Sequence, residues 1–323
     1  TIDDVENLKL FYTRDSIFTP TELLSYTSTK SANTIEFRGG QKSLITGLNY
    51  IWICTDVVPT ATHGNSIDIQ IPANGLKIGT LTYPSTTQNP SGASYVEESI
   101  IMSDFETLNG WTLTGSWQIG TQLGTGTGDP SYAYDGSKVL ATNLNGNYPS
   151  NISPTAAHNA TSSIANAKYY KNVNIRFKRW LNVESTDRAR VWLTADGGSS
   201  WIKLMENSLD VSDRFWRNYG FDIGTEATRK SDVRVRFAID TTDQSTEYGG
   251  WNIDNFAITG DFIAADVGVK AFVEPISKCG LTNAETVKVI VKNYGGATVS
   301  TSFNVSYSLN GGASFVNESF TSS

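Results

Sequence analysis

Asp104-Phe105-Glu106, followed by Trp111 and Trp117, and Gly249-Gly250-Trp251-Asn252-Ile253-Asp254-Asn255-Phe256, followed by Ile258 and Gly260, read as the two ends of one module. Both mix aromatic and β-branched residues, which fit pleated strands, with the Gly, Asn and Asp that turns require. They stand roughly 150 residues apart, a usual size for one β-sandwich. Such a module sets its first and last strands side by side, with acidic residues on both.

The strands between these ends show period-two alternation. Val173, Ile175 and Phe177 alternate with Asn174, Arg176 and Lys178; Ala189, Val191 and Leu193 alternate with Arg190 and Trp192; Val233, Val235, Phe237 and Ile239 alternate with Arg234, Arg236 and Ala238. One apolar and one polar face per strand is the pattern of antiparallel sheets with one side turned to solvent or a partner. The Gly/Thr-rich stretch from Gly120 to Ser137 is too irregular for regular structure and is placed on the surface. Helix signal is nearly absent.

The expected fold is therefore all-β: a central jelly-roll β-sandwich over residues 98–262, flanked by a small β-sandwich over 1–97 and an Ig-like β domain over 263–323. In the first segment, Tyr50-Ile51-Trp52-Ile53-Cys54 is apolar on both faces, which predicts a central strand covered on each side. In the third, the strands led by Val267, Val287 and Phe303 are fewer than an Ig-like unit needs, so this domain is expected to be truncated. The chain starts at Thr1 without Met and stops at Phe320-Thr321-Ser322-Ser323, which reads as a piece of a longer protein.

Composition narrows the function. The 323 residues are 39% hydrophobic and 18% charged, with a formal net charge of −7 and no long basic run. Nucleic acid is not an expected partner, because neutralising phosphates needs clustered Lys and Arg. No apolar run reaches the roughly 18 residues of a membrane-spanning helix. Cys54 and Cys279 are far apart with no spacing pattern, so two separate buried thiols are expected, with one disulfide left open.

Thr194-Ala195-Asp196-Gly197-Gly198-Ser199-Ser200-Trp201 fits the Asp-box pattern, with a weaker echo at Asn310-Gly311-Gly312-Ala313-Ser314-Phe315. Physically it is a hairpin turn: Asp accepts backbone N–H bonds, the glycines take positive φ and Trp packs below. One good copy reads as a turn, not a catalytic device. Paired carboxylates for glycoside hydrolysis are missing, since Asp68 and Asp254 each stand alone on their strands. No nucleophile elbow or phosphate loop occurs, so no enzyme activity is expected of this chain.

Two kinds of site remain. Trp192 and Arg190 share the polar face of one strand, and Arg236 and Lys178 are placed with them as a candidate ligand face for a glycan or surface polymer. Asp104, Glu106, Asp135 and Asp254 lie at the module's ends and in the Tyr134-Asp135-Gly136 turn. If the end strands pair, their carboxylates could converge with backbone carbonyls on the six to eight oxygens that Ca2+ prefers.

Taken in order, Asp104-Phe105-Glu106 with Trp111, the run from Gly136 to Tyr148, Asp196-Gly197-Gly198 with Trp201, and Gly250-Trp251 with Ile253-Asp254-Asn255 resemble MAM-like jelly-roll modules of secreted bacterial proteins, including cleaved-adhesin domains. Leu10-Phe11-Tyr12-Thr13 and Gly47-Leu48-Asn49-Tyr50-Ile51-Trp52 are similar to the β domain that precedes sialidase repeats in Bacteroidetes secreted proteins. Cys279-Gly280-Leu281-Thr282 and Val291-Lys292-Asn293-Tyr294-Gly295 look like the Ig-like repeats of the same proteins. The resemblance implies an extracellular or cell-surface location, with a gliding-bacterium export route. It also implies an adhesive or carbohydrate-binding role beside other domains of the same polypeptide. The family's calcium positions carry over to Glu106 and Asp254, and loosely to Asp135. The acid-rich loop of some relatives is replaced here by Thr112-Leu113-Thr114-Gly115-Ser116-Trp117. The alternative readings are an ancillary region of a secreted hydrolase whose catalytic domain lies elsewhere, and a pure spacer.

Overall fold

The computed structural model describes residues 2–320 apart from 19–22, 25, 26, 32, 33, 40, 41, 59, 108, 109, 278, 283 and 309. Thr1 and residues 321–323, on which the reading of a cut-out chain partly rests, lie outside them.

The middle of the chain is a sandwich of two antiparallel sheets. Its strands are β1 (Glu98–Ser103), β2 (Thr112–Leu113), β3 (Gln118–Gly120), β4 (Val139–Ala141), β5 (His158–Thr161), β6 (Tyr170–Val183), β7 (Arg188–Thr194), β8 (Ile202–Glu206), β9 (Val211–Ser212), β10 (Arg217–Asp222), β11 (Arg234–Thr241) and β12 (Gly250–Phe262). One sheet runs β2-β5-β11-β7-β8. The other runs β3-β4-β12-β6-β9, with β10 also on β6 and β1 on β12. First and last strands are hydrogen-bonded neighbours: Ser103 faces Phe256, Met102 faces Ala257 and Ile101 faces Ile258. Chain closure of this kind covers most of the edge of β12, leaving little open strand for unwanted pairing.

The alternation sorts residues as expected. Val173, Ile175, Phe177, Ala189, Val191, Leu193, Val233, Val235, Phe237 and Ile239 are all buried and belong to the single core between the sheets. Trp251 is fully buried there and donates its indole N–H to the Ala238 carbonyl at 3.1 Å. Phe237 meets Phe177, Trp251 and Trp111 at ring separations of 4.9, 5.4 and 6.2 Å. Rings at such offsets add to the energy of area burial alone.

The Gly/Thr-rich stretch does not simply lie on the surface. It wraps onto the outer side of the seven-stranded sheet, where Val139, Ala141, Trp180 and Trp216 form a second small core with Tyr132 and Tyr134 packed against it. The Gly128 carbonyl accepts both Trp180 Nε1 at 2.7 Å and Asn182 Nδ2 at 2.9 Å. The glycines supply turns while the tyrosines between them supply the contact.

The flanking segments are built of two-stranded pieces among the described residues. Val5–Thr13 pairs with Tyr50–Val57, and Thr27–Ser31 with Thr34–Arg38. Val267–Glu274 pairs with Lys288–Asn293, and Phe303–Tyr307 with Val316–Phe320. The expectation that Tyr50–Cys54 is covered on both sides fails. Ile51 and Ile53 are 49% and 38% exposed, because a two-stranded ribbon leaves one face without a layer above it. Both cysteines are free thiols, Cys54 half-buried and Cys279 exposed, so the expected burial does not hold for Cys279.

Aromatic and ionic contacts join the segments. Phe18 of the first segment meets Trp52 at 5.5 Å and Tyr134 of the sandwich at 6.3 Å. On the other side, Arg229 pairs with Asp266 and donates to the Tyr294 carbonyl at 3.1 Å.

Candidate functional site

The outward face of the five-stranded sheet carries one continuous row of side chains. Thr112 faces Thr161, Thr161 faces Arg236, Arg236 faces Trp192 and Trp192 faces Lys203 in the register of successive strands. Their sequence neighbours Leu113, Ala160, Val235 and Leu193 point inward into the core, so the row is outward by the pleat. A bulge between Val191 and Trp192 keeps Lys203, not Leu204, opposite the indole, while Leu204 packs inward.

The charges on this face are mostly paired. Arg190 binds both Glu206, at 2.5 Å, and Asp240; Lys203 reaches Glu206 at 2.9 Å; Arg188 lies 3.9 Å from it. Hydrogen bonds from Arg190 and Lys203, aided by their charges, pull the Glu206 carboxyl down to about 2. Arg234 takes Asp232 at 2.8 Å. Arg236 differs. Its guanidinium lies 3.7 Å from the centre of the Trp201 ring, and its Nε donates to Thr161 Oγ1 at 3.3 Å. Among the described residues no carboxylate pairs with it, and burial lowers its pKa.

The tryptophans divide by the fate of their indole N–H. Trp52, Trp117, Trp180, Trp216 and Trp251 each donate to a protein oxygen. Trp111, Trp192 and Trp201 donate to no protein acceptor among the described residues, but Trp111 is buried in the core whereas Trp192 and Trp201 are partly exposed on the outer face. An amphipathic ring with a free donor is suited to a ligand that is apolar on one side and hydroxylated on its rim.

Trp201, expected to serve packing alone, is thus part of the face. The hairpin that places it forms as its sequence predicts. Thr194 Oγ1 accepts Gly198 N at 2.9 Å, and Asp196 Oδ1 accepts Ser200 N at 3.0 Å. Gly197 and Gly198 take φ of 74° and 93°. Hydrogen bonds from the Ser200 hydroxyl, from Ser200 N and from the Thr194 hydroxyl hold the Asp196 carboxyl well below the usual carboxylate range. The weaker echo repeats the geometry: Ser308 Oγ accepts Gly312 N at 2.8 Å and Asn310 Oδ1 accepts Ser314 N at 2.9 Å.

Lys178, placed with this face from the sequence, is not there. It lies on β6 of the other sheet, opposite Asn218 and Asp254, with its ammonium 4.1 Å from the centre of the Tyr134 ring. It lines a separate shallow depression of about 600 Å³ with Asn174, Arg176, Asn218 and Asp222. The period-two pattern says which side of its own strand a residue takes, and nothing about which sheet that strand joins.

Glu106, Asp135 and Asp254 meet around one turn, but as acceptors of N–H groups, while Asp104 caps the chain locally. Glu106 accepts Ser137 N at 2.6 Å, Lys138 N at 2.7 Å and Ser137 Oγ at 2.9 Å, which lowers its pKa. Asp254 accepts Asp135 N at 3.0 Å and Asn255 N at 2.7 Å, while Asp104 accepts Glu106 N at 3.1 Å. Asp135 accepts Gly136 N at 3.0 Å. Burial outweighs these bonds at Asp254 and pushes its carboxyl up to about 7. Lys138 Nζ donates to the Glu106 carbonyl at 2.8 Å, where a metal would want that oxygen. The set is a donor-filled clamp that ties the 135–138 turn to both ends of the module.

Among the described residues, the carboxylate trio whose oxygens lie within 4.8 Å of one another is instead Glu184, Asp187 and Asp243. These are hard oxygen donors, and the group could hold a metal ion. Burial raises the Asp187 pKa, and its Oδ1 accepts Asp243 N at 2.9 Å. Glu184 and Asp187 sit in the β6–β7 turn and Asp243 follows β11, so only the fold assembles them.

A β-sandwich with an aromatic, donor-rich outer sheet is the class that fold and face define. No protein-family profile matches the chain. It is 29% identical over 161 residues to Bacillopeptidase F of Bacillus subtilis (strain 168), a match over 48% of this chain and 10% of that protein. The chain therefore spans about a tenth of the curated relative's length. Among solved structures, it is similar to the CBM22-1 xylan-binding domain of Paenibacillus barcinonensis Xyn10C, at 16% identity and TM-score 0.32, over 51% of this chain and 95% of that one. It is also similar to TmCBM61 in complex with β-1,4-galactotriose, at 13% identity and TM-score 0.31, over 47% and 89% of the two chains. A third is the K2 cleaved adhesin domain of Lys-gingipain, at 12% identity and TM-score 0.32, over 50% and 98%. At these identities and TM-scores the solved structures decide nothing about function.

Proposed function

We propose that this chain is a non-catalytic, carbohydrate-binding or adhesive segment of a larger extracellular protein, and that its glycan lies on the outward face of the five-stranded sheet. The observation that carries the reading is the row Thr112, Thr161, Arg236, Trp192 and Lys203, with two partly exposed indoles whose N–H groups have no acceptor in the described residues. A pyranose ring offers C–H faces to an indole and hydroxyls to Thr, Arg and indole N–H. Nothing in the row is a nucleophile poised by a base.

In this reading the sandwich over 98–262 is the binding module, and 1–97 and 263–323 are the flanking modules that space it. The MAM-like assignment and the surface location belong to the same proposal. So does Ca2+, as a structural ion at Glu184, Asp187 and Asp243; glycan binding does not pass through it. A helix long and apolar enough to cross a membrane is absent from the described residues.

Affinity electrophoresis through gels containing neutral and acidic plant and bacterial polysaccharides tests the reading. Retardation by at least one polymer that is lost in Trp192→Ala, with an unchanged melting temperature, is expected. No retardation by any polymer, or equal retardation of the variant, would overturn it. The 161-residue similarity to a protein named as a peptidase favours a second reading, an accessory segment of a hydrolase. The domains encoded next to this segment discriminate between the two.

A further inference from the structure

Resting on that glycan-binding reading, we propose that the ligand is an acidic polysaccharide and that Arg236 receives the carboxylate of a uronate unit while Trp192 stacks on the neighbouring ring.

Arg236 carries a charge with no carboxylate partner among the described residues. The other cations of this face each have a carboxylate partner: Arg188, Arg190 and Lys203 share Glu206, Arg190 also holds Asp240, and Arg234 holds Asp232. Arg236 spends one of its five N–H donors on Thr161 Oγ1 and rests one face on Trp201. The four donors of its two terminal nitrogens have no acceptor among the described residues. A half-buried guanidinium pinned by a ring and a hydroxyl has already lost much of its rotamer freedom, so less is lost when a ligand binds. Its remaining edge is a planar fork, which a carboxylate matches with two parallel bonds.

The surroundings select a sugar acid over other anions. Arg236 and Trp192 are cross-strand neighbours, about 5 Å apart at Cα. That is close to the advance of one pyranose along a polysaccharide. A chain lying across the strands therefore sets one ring on the indole as the next presents its C6 carboxylate to the fork. Thr161 and Thr112 continue the row with hydroxyls for the following unit. An acidic peptide or a sulfated polymer would call for several free cations in line; among the described residues this face has one cation without a carboxylate partner, in a chain whose net charge is −7. Long-range attraction cannot supply the affinity, so the contact must be local and geometric.

The test uses the whole chain with polygalacturonate, alginate and a glucuronoxylan, each beside its carboxyl-reduced counterpart, which keeps the backbone and removes the charge. Affinity electrophoresis and calorimetry are expected to show at least one acidic polymer bound tenfold or more tightly than its reduced form. Arg236→Gln is expected to erase that difference, bringing the acidic polymer down to the level at which the same variant binds the reduced one. Arg236→Lys keeps the charge without the fork and is expected to recover less than half of the lost preference; it also decides the matter if the Gln variant fails to fold. Equal binding of acidic and reduced polymers would overturn the carboxylate assignment and leave the Trp192 platform standing. Binding to dextran sulfate or polyglutamate as tightly as to the preferred uronate polymer would overturn it too, by showing that charge alone suffices. No binding to any polysaccharide removes both this inference and the glycan reading.

Discussion

The Arg236 guanidinium lies over Trp201, 3.7 Å from the ring centre, although the two residues come from β11 and from the hairpin before β8. The contact joins the Asp-box turn to the middle of the outer sheet. Trp201→Ala should therefore act twice. Losing a partly exposed cation–π contact costs about 0.5–1 kcal/mol of stability. It also frees the guanidinium, so polysaccharide affinity should fall severalfold more than that stability change suggests. Urea denaturation and affinity electrophoresis of one preparation check both, and unchanged retardation would detach Trp201 from the site.

Asp213 is the electrostatic post of the opposite sheet. It is 5% exposed and accepts Arg179 Nε at 3.0 Å, Arg217 Nε at 2.9 Å and Leu181 N at 3.0 Å. Arg179 is itself buried, so removing the carboxylate strands a guanidinium inside the protein. Asp213→Ala should cost about 3–5 kcal/mol, the range for breaking a buried pair from one side. A loss under about 1 kcal/mol in urea denaturation would mean that water reaches Arg179 when the acid is gone.

What the sequence made legible follows from what period-two alternation encodes. It told which residues of β6, β7 and β11 face the core, and it set Trp192, Arg190 and Arg236 outward. The Gly-Gly turn chemistry foretold the Thr194–Trp201 hairpin down to its Asp196 bonds. It could not tell which strands become neighbours, since register and order depend on turns and bulges far apart in the chain. Alternation alone therefore groups Lys178 with a sheet it does not belong to, and it is silent on Asp243 joining Glu184 and Asp187, which lie on loops. Glu106 and Asp254 both accept N–H groups of the 135–138 turn. Whether an acid meets a metal or a backbone N–H is decided by the donors around it, and Ser137 and Lys138 supply N–H groups.

The acidic trio carries its own expectation. If a divalent cation bridges Glu184, Asp187 and Asp243, EDTA should lower the melting temperature by several degrees, and added Ca2+ should restore it. Glu184→Gln should abolish that sensitivity, whereas Glu106→Ala should keep it, because Glu106 is occupied by Ser137 and Lys138. An EDTA response that vanishes in Glu106→Ala but survives in Glu184→Gln would move the ion to the turn at 135–138. A melt indifferent to EDTA would remove the ion altogether.

Glu206 gives the outer sheet an acid-sensitive limb. Arg190 and Lys203 hold its carboxyl at about 2 in the folded chain, against an ordinary value of 4.5. A folded pKa below the unfolded one means that the unfolded chain takes up the proton first as pH falls. The stabilisation is therefore complete above about pH 4.5 and drains away as pH drops toward 2. Glu206 is partly exposed, with 27% of its side chain accessible, so solvent screening limits the effect to about 1 kcal/mol. Glu206→Gln should be less stable than the parent by that amount at pH 7, and the two curves should converge as pH approaches 2. Arg190 keeps Asp240 in the variant, so the sheet should stay folded throughout. Parallel stability curves across the whole range would show that the Glu206 charge contributes nothing, and that Arg190 is held by Asp240 alone.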